Sequence, residues 1–121
     1  MPTLIQLSDC QRYLTVYQSG PLSVAEIKQA RLDSAGFYNN CDRALVDYRE
    51  ADLSPLNLLE LDNLAMEFKQ DLPSCRRMAI VRTIGSDDNY YEHLTNVCTI
   101  GGVDTRVFES PSQALDWLLR D

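Results

Sequence analysis

Asp47, Tyr48, Asp52 and Ser54 stand close together where an apolar run, Ala44-Leu45-Val46, gives way to an acidic loop, Glu50-Ala51-Asp52-Leu53. A carboxylate at the end of a buried strand could act as a general base, and a serine hydroxyl could accept a phosphate. His93, with Glu92 and Tyr91 beside it, is the other group able to move protons. A catalytic histidine needs an orienting partner and a nucleophile within hydrogen-bond reach, and spacing alone supplies neither. His93 follows Tyr90 by three on a helical stretch, which reads as a surface position. Without a catalytic signature, the chain is expected not to be an enzyme.

Cys10, Cys41, Cys75 and Cys98 lie far apart, with no CxxC pair. Structural zinc takes closely spaced thiolates or imidazoles, so neither a metal nor any other cofactor is expected. Met1-Pro2-Thr3-Leu4 does not have the form of an export signal, so reduced thiols and a cytoplasmic location are expected. Cys75, near Met78-Ala79-Ile80-Val81, and Cys98, in a helical run, read as small core residues.

The 121 residues carry a formal net charge of −7, and 45% of them are hydrophobic. That apolar share is enough for one folded domain over residues 1–121 with a real core. An acidic surface repels phosphate backbones and anionic headgroups, so nucleic acid is not an expected partner. No apolar run reaches membrane-spanning length, so membrane insertion is not expected either.

The elements that must hold these residues can be read in order. Thr3–Ser8 and Arg12–Gln18 have strand character and suit an antiparallel hairpin at one sheet edge. In the second, Tyr13, Thr15 and Tyr17 alternate with Leu14 and Val16. Ser23-Val24-Ala25-Glu26 is a capping box and Leu22 with Ile27 a hydrophobic staple, predicting a helix from Val24 to about Phe37, ended by Gly36 and Asn39-Asn40. Arg43–Arg49 has consecutive apolar residues, the pattern of a strand covered on both faces. Ser54 then reads as a helix N-cap with Pro55 at the first helical position, and Leu53 with Leu58 as its staple. Leu61, Leu64, Ala65 and Phe68 form the apolar face of that helix, opposed by Glu60, Asp62, Asn63 and Glu67.

Met78–Thr83 is the next strand, and Ser86-Asp87-Asp88 opens a third helix that Gly101-Gly102 closes. A strand, Thr105–Phe108, precedes a last helix capped by Ser110-Pro111-Ser112-Gln113 and anchored by Ala114, Leu115, Trp117 and Leu118. The fold class expected is therefore α/β. A single, mostly parallel sheet of about five strands, with an antiparallel N-terminal edge strand, is packed by four helices.

This order, together with Leu45-Val46-Asp47 before a capped helix and the close Val107-Phe108-x-x-x-x-x-Ala114-Leu115-x-Trp117-Leu118, resembles the SpoIIAA-like family. Its members are bacterial relatives of the STAS domain of sporulation anti-anti-sigma factors and anion-transporter tails. The resemblance covers almost the whole chain. It implies a regulatory module in which a serine at the start of the helix after the third strand is phosphorylated, switching partner binding off. The matching position is Ser54, although the family's usual Asp-Ser-Ser-Gly-like run is replaced here by Asp52-Leu53-Ser54-Pro55-Leu56.

The resulting expectation is a non-enzymatic protein-interaction module, with Ser54, Asp52, Asp47 and Tyr48 as the candidate switch or docking residues. The alternative is a binder of a small apolar or lipid-like ligand between helices and sheet. Phe37, Tyr38, Phe68, Tyr90 and Tyr91, together with Tyr48, would line its pocket. A homodimer is also expected, through the edge hairpin that carries Leu4-Ile5, Tyr13 and Tyr17.

Overall fold

Strands β1 (Thr3–Leu7) and β2 (Leu14–Gln18) pair antiparallel, with Thr3 opposite Gln18 and Leu7 opposite Leu14. The computed structural model describes residues 3–10, 12–39, 41–83 and 88–120, and for residues 39, 88–90, 93, 94 and 97 the backbone alone. Beyond the hairpin come β3 (Gly20–Pro21), α1 (Val24–Ser34), β4 (Arg43–Asp47), β5 (Ala51–Asp52) and α2 (Leu58–Asp71). The chain continues through β6 (Arg77–Val81), α3 (Asp88–Ile100), β7 (Asp104–Phe108) and α4 (Pro111–Leu118). The main sheet runs β1-β2-β4-β6-β7, parallel at every pairing except β1 with β2. It is the α/β fold with five sheet strands and four helices that the pattern predicts.

The central strands are apolar on both sides because both sides are covered. Ala44, Val46, Met78 and Ile80 face one core with α1, α2 and α3, while Leu45, Ala79 and Val81 face a second core with Ala114, Trp117 and Leu118 of α4. Three helices therefore share one face and the last crosses to the other. Phe108 and Trp117 meet with ring centroids 5.8 Å apart. Arg43 Nη1 donates to Leu118 O at 2.7 Å and Arg77 Nη1 to Arg120 O at 2.5 Å, satisfying carbonyls at the end of α4.

The start of α1 is as predicted. Ser23 Oγ accepts from Glu26 N at 3.2 Å, Glu26 Oε1 accepts from Ser23 N at 3.3 Å, and Leu22 and Ile27 are buried. Its end differs: the α-helix stops at Ser34 and the chain tightens into a 3₁₀ segment, Ala35–Asn39, that contains Gly36. The glycine at the far end of α3 is used as expected. Gly102, at φ 101°, lets Val103 N donate back to Cys98 O at 3.0 Å. Ser86 and Asp87, expected to open α3, lie outside the described residues. Cys75 and Cys98 are fully buried core residues.

Candidate functional site

Asp47 ends β4, and its carboxylate is already occupied. Arg49 donates to it three times, from Nε at 3.0 Å and the main-chain N at 3.1 Å to Oδ1, and from Nη2 at 2.8 Å to Oδ2. Burial alone would raise this carboxyl, but the Arg49 bonds outweigh it and hold Asp47 below the ordinary carboxylate range. This turn is also why the strand stops at Asp47 rather than at Arg49 as expected. Arg49 O in turn accepts from the Thr83 hydroxyl, and Tyr48 N donates to Val81 O at 2.8 Å. The arrangement ties the β4 and β6 ends together.

Tyr48 points inward. Its hydroxyl donates to Gln18 Oε1 at 3.3 Å, and burial pushes the phenol up to about 12. It is a neutral hydrogen-bond donor, not a proton relay at ordinary pH. Gln18, only 1% exposed, also donates through Nε2 to Glu26 O at 3.3 Å. Its inward place is legible in the spacing, since Leu14, Val16 and Gln18 share one side of a strand by period two, but a lone glutamine there carries no signal of its partners.

Downstream, β5 pairs parallel with β3, a two-stranded patch that the sequence did not announce. Gly20, at φ 76°, makes the turn, and Gly20 N donates to Glu50 O at 2.8 Å. Asp52 Oδ1 then accepts from Ser54 N at 2.9 Å, and the Ser54 amide followed by its hydroxyl holds the Asp52 carboxyl low. Ser54 is therefore an exposed turn residue and not a helix cap.

The cap of α2 is Asn57. Asn57 Oδ1 accepts from Glu60 N at 2.8 Å, and Glu60 Oε1 accepts from Asn57 N at 3.1 Å. The helix begins three positions later than Ser54-Pro55 implied because Leu53 and Leu56 both plunge into the core, at 5% and 2% exposure. A turn, with Leu56 N on Leu53 O at 2.9 Å, is needed to bury both. The staple is accordingly Leu56 with Leu61. Leu58, assigned to the staple, is 48% exposed beside Leu59 at 69%. Leu61, Leu64, Ala65 and Phe68 form the buried face as read.

The residues proposed for an apolar pocket are separated. Tyr38, Tyr48 and Phe68 line a cavity of about 60 Å³ between α1, α2 and the sheet. Phe37 turns outward, because the tight 3₁₀ segment puts Tyr38 on the inner side instead. Tyr91 lies under Arg82, whose guanidinium carbon is 5.6 Å from its ring centre. There it borders a separate open depression of about 620 Å³ with Arg106 and Phe108. The side chains of Tyr90 and His93 lie outside the described residues; Glu92 is exposed.

The cavity also holds a charge that no apolar pattern announced. Arg31 is stacked 5.0 Å from the centre of the Phe68 ring and pairs with Asp71 at 3.1 Å. Lys28 reaches Asp71 at 2.5 Å and Glu67 at 2.9 Å, joining α1 to α2. Arg31 follows Ile27 by four and adjoins Ala30, so its place on the inner stripe was legible even if its pairing was not. Among the described residues, no group of three or more histidine, cysteine or acidic side chains could hold a metal ion. No helix among them is long and apolar enough to cross a membrane.

No family model matches this chain, and no curated protein matches it. Among solved structures it is similar to an uncharacterised protein of the DUF3478 family with a SpoIIAA-like fold from Shewanella loihica. The two share 24% identity, and the match covers 97% of this chain and 92% of the other with a TM-score of 0.60. The chain has a SpoIIAA-like fold.

Proposed function

We propose that this SpoIIAA-like chain is a non-enzymatic regulatory module that docks a partner protein at the entrance to α2. The observation that carries the reading is the pair Leu58 and Leu59. Both are exposed in the first turn of a helix whose inner face is already filled, beside the exposed Ser54-Pro55. Exposed neighbouring leucines rimmed by polar groups are a form that protein contacts take. The loop that leads to them starts at the Asp47–Arg49 pair and the Arg49–Thr83 bond, which hold its base, so little ordering is needed on binding. Asp47 and Tyr48 thus anchor the start of the loop, and Asp52 and Ser54 lie along it ahead of α2.

A phosphate on Ser54 would set a second negative group beside the Asp52 carboxylate that already holds the Ser54 amide. Such a change would switch docking off by repulsion. The chain's four unpaired thiols suit a reducing cytoplasmic compartment, as in bacteria, the setting implied by the resemblance.

The test is affinity capture with the wild-type chain, Leu58→Glu/Leu59→Glu, and Met66→Glu as an equally exposed control on the same helix. Loss of the captured protein in the double variant alone supports the site. Capture that survives the double variant overturns it. The small-ligand alternative has less behind it, since the cavity that Tyr38, Tyr48 and Phe68 line, at about 60 Å³, is roughly a fifth of the smallest ordinary ligand pocket.

A further inference from the structure

The two edges of the main sheet are not equivalent. At one edge, β7 carries Asp104 and Arg106, and with α3 packed along it Thr105 is left only 3% exposed. At the other, β1 reads Thr3-Leu4-Ile5-Gln6-Leu7, with no charged residue, no proline and no bulge in its pairing to β2. Natural sheets blunt open edges with charges, prolines or bulges, because unpaired main-chain groups recruit further strands. Within the described residues Thr3–Leu7 this edge has none of those protections, in a chain of net charge −7.

The register says which groups are unpaired. Ser8 N donates to Tyr13 O at 3.0 Å, so that pair is hydrogen-bonded, and pairs in an antiparallel ladder alternate. Counting back, Gln6 and Leu4 turn their main-chain groups toward β2. Thr3, Ile5 and Leu7 turn theirs outward. Ile5 and Leu7 are also half-buried against the α1–α2–α3 core, whereas Leu4 is 59% exposed on the other side of the sheet.

We propose that β1 pairs antiparallel with β1 of a second copy of this chain, about a two-fold axis through Ile5. Any strand can face its own copy across a two-fold axis, but the outward groups must then meet outward groups. Centring on Ile5 achieves this: Ile5 meets Ile5, and Thr3 meets Leu7 on each side. All three outward residues are used, giving about six main-chain bonds between copies. The two Ile5 side chains come together on the face where α1 to α3 pack, extending that core across the axis. A symmetric contact of this kind closes on itself, so it ends at a dimer with one continuous sheet. The edge brings no charge of either sign, so the pairing adds no local repulsion to the copies' overall negative charge.

The test combines sedimentation with hydrogen exchange on the whole chain. The wild type is expected to sediment at twice the chain mass as concentration rises into the hundreds of micromolar. The amides of Thr3, Ile5 and Leu7 should slow with it, while those of Leu4 and Gln6, already bonded within the hairpin, should not change. Ile5→Lys and Ile5→Glu should each be monomeric, since each places like charges on the axis. Mixing the two should restore the dimer, which a merely misfolded variant would not do. A wild type that stays monomeric, or a dimer in which the Ile5 and Leu7 amides still exchange fast, overturns the proposal.

Discussion

The Tyr48 hydroxyl, just past the end of β4, donates to Gln18 Oε1 of β2 across 3.3 Å, between side chains held almost wholly out of water. Tyr48→Phe removes the donor and leaves a buried amide oxygen without it. A loss of about 1–3 kcal/mol is expected in urea unfolding. Tyr48→Phe/Gln18→Met removes both partners, and the double variant should recover part of that loss.

Asn57→Ala should cost about 1 kcal/mol, because Asn57 closes the capping box of α2. Ser54→Ala, at an exposed turn, should change stability by less than about 0.5 kcal/mol. Thermal unfolding of both variants decides between the two start signals. Equal losses would contradict the placement of the cap.

The cluster linking α1 to α2 should be felt at both ends of the pH scale. Burial opposes ionisation of Asp71, but its bonds from Lys28 and Arg31 outweigh this and lower its carboxyl. Its contribution is therefore present above the unfolded value near 4 and lost as pH falls through the lower folded value. Lys28 is raised, first by Asp71 and then by Glu67. Its contribution is present below about 10.4 and lost as pH rises through the higher folded value. The melting-temperature gap between wild type and Asp71→Asn should thus be widest between about pH 5 and pH 9 and shrink on either side.

The thiols should divide into one fast and three slow. Cys10 is exposed, and the Ser8 hydroxyl 3.4 Å away is the first of the groups that lower its pKa. Burial pushes Cys75 up to about 12 and Cys98 up to about 11, and raises Cys41 as well. A disulfide reagent at neutral pH should modify a single thiol rapidly, and Cys10→Ser should abolish that phase. A second fast thiol in the native chain would contradict the burial of the other three.

Trp117 fastens α4 to the sheet. Besides Phe108, it meets the guanidinium carbons of Arg77 and Arg106 at 5.3 Å and 5.2 Å from its ring. Trp117→Ala should cost about 3–5 kcal/mol in denaturant unfolding. Exchange protection should fall first in residues 111–118. A uniform loss over all helices would show that α4 is not a separable unit.

Local signals were legible where one segment could satisfy itself. The Ser23–Glu26 box, the Ser110-Pro111 start and the Leu61, Leu64, Ala65, Phe68 stripe each involve residues within a turn or two of one another. The segment from Ser54 to Glu60 was not decided this way, because it holds two competing helix starts. Ser54-Pro55 and Asn57-x-x-Glu60 are both sound cap chemistry. The choice fell to the burial of Leu53 and Leu56, which depends on α1 and the sheet.

The same division holds for the molecule as a whole. The chain's own pattern determined an α/β alternation, central strands apolar on both sides, and an antiparallel first hairpin. Only the tertiary structure decided that α4 crosses to the opposite face, that Arg31 meets Asp71, and that Phe37 turns outward. Spacing along a chain carries the period of a helix or strand, but each of these outcomes depends on contacts between segments remote in sequence.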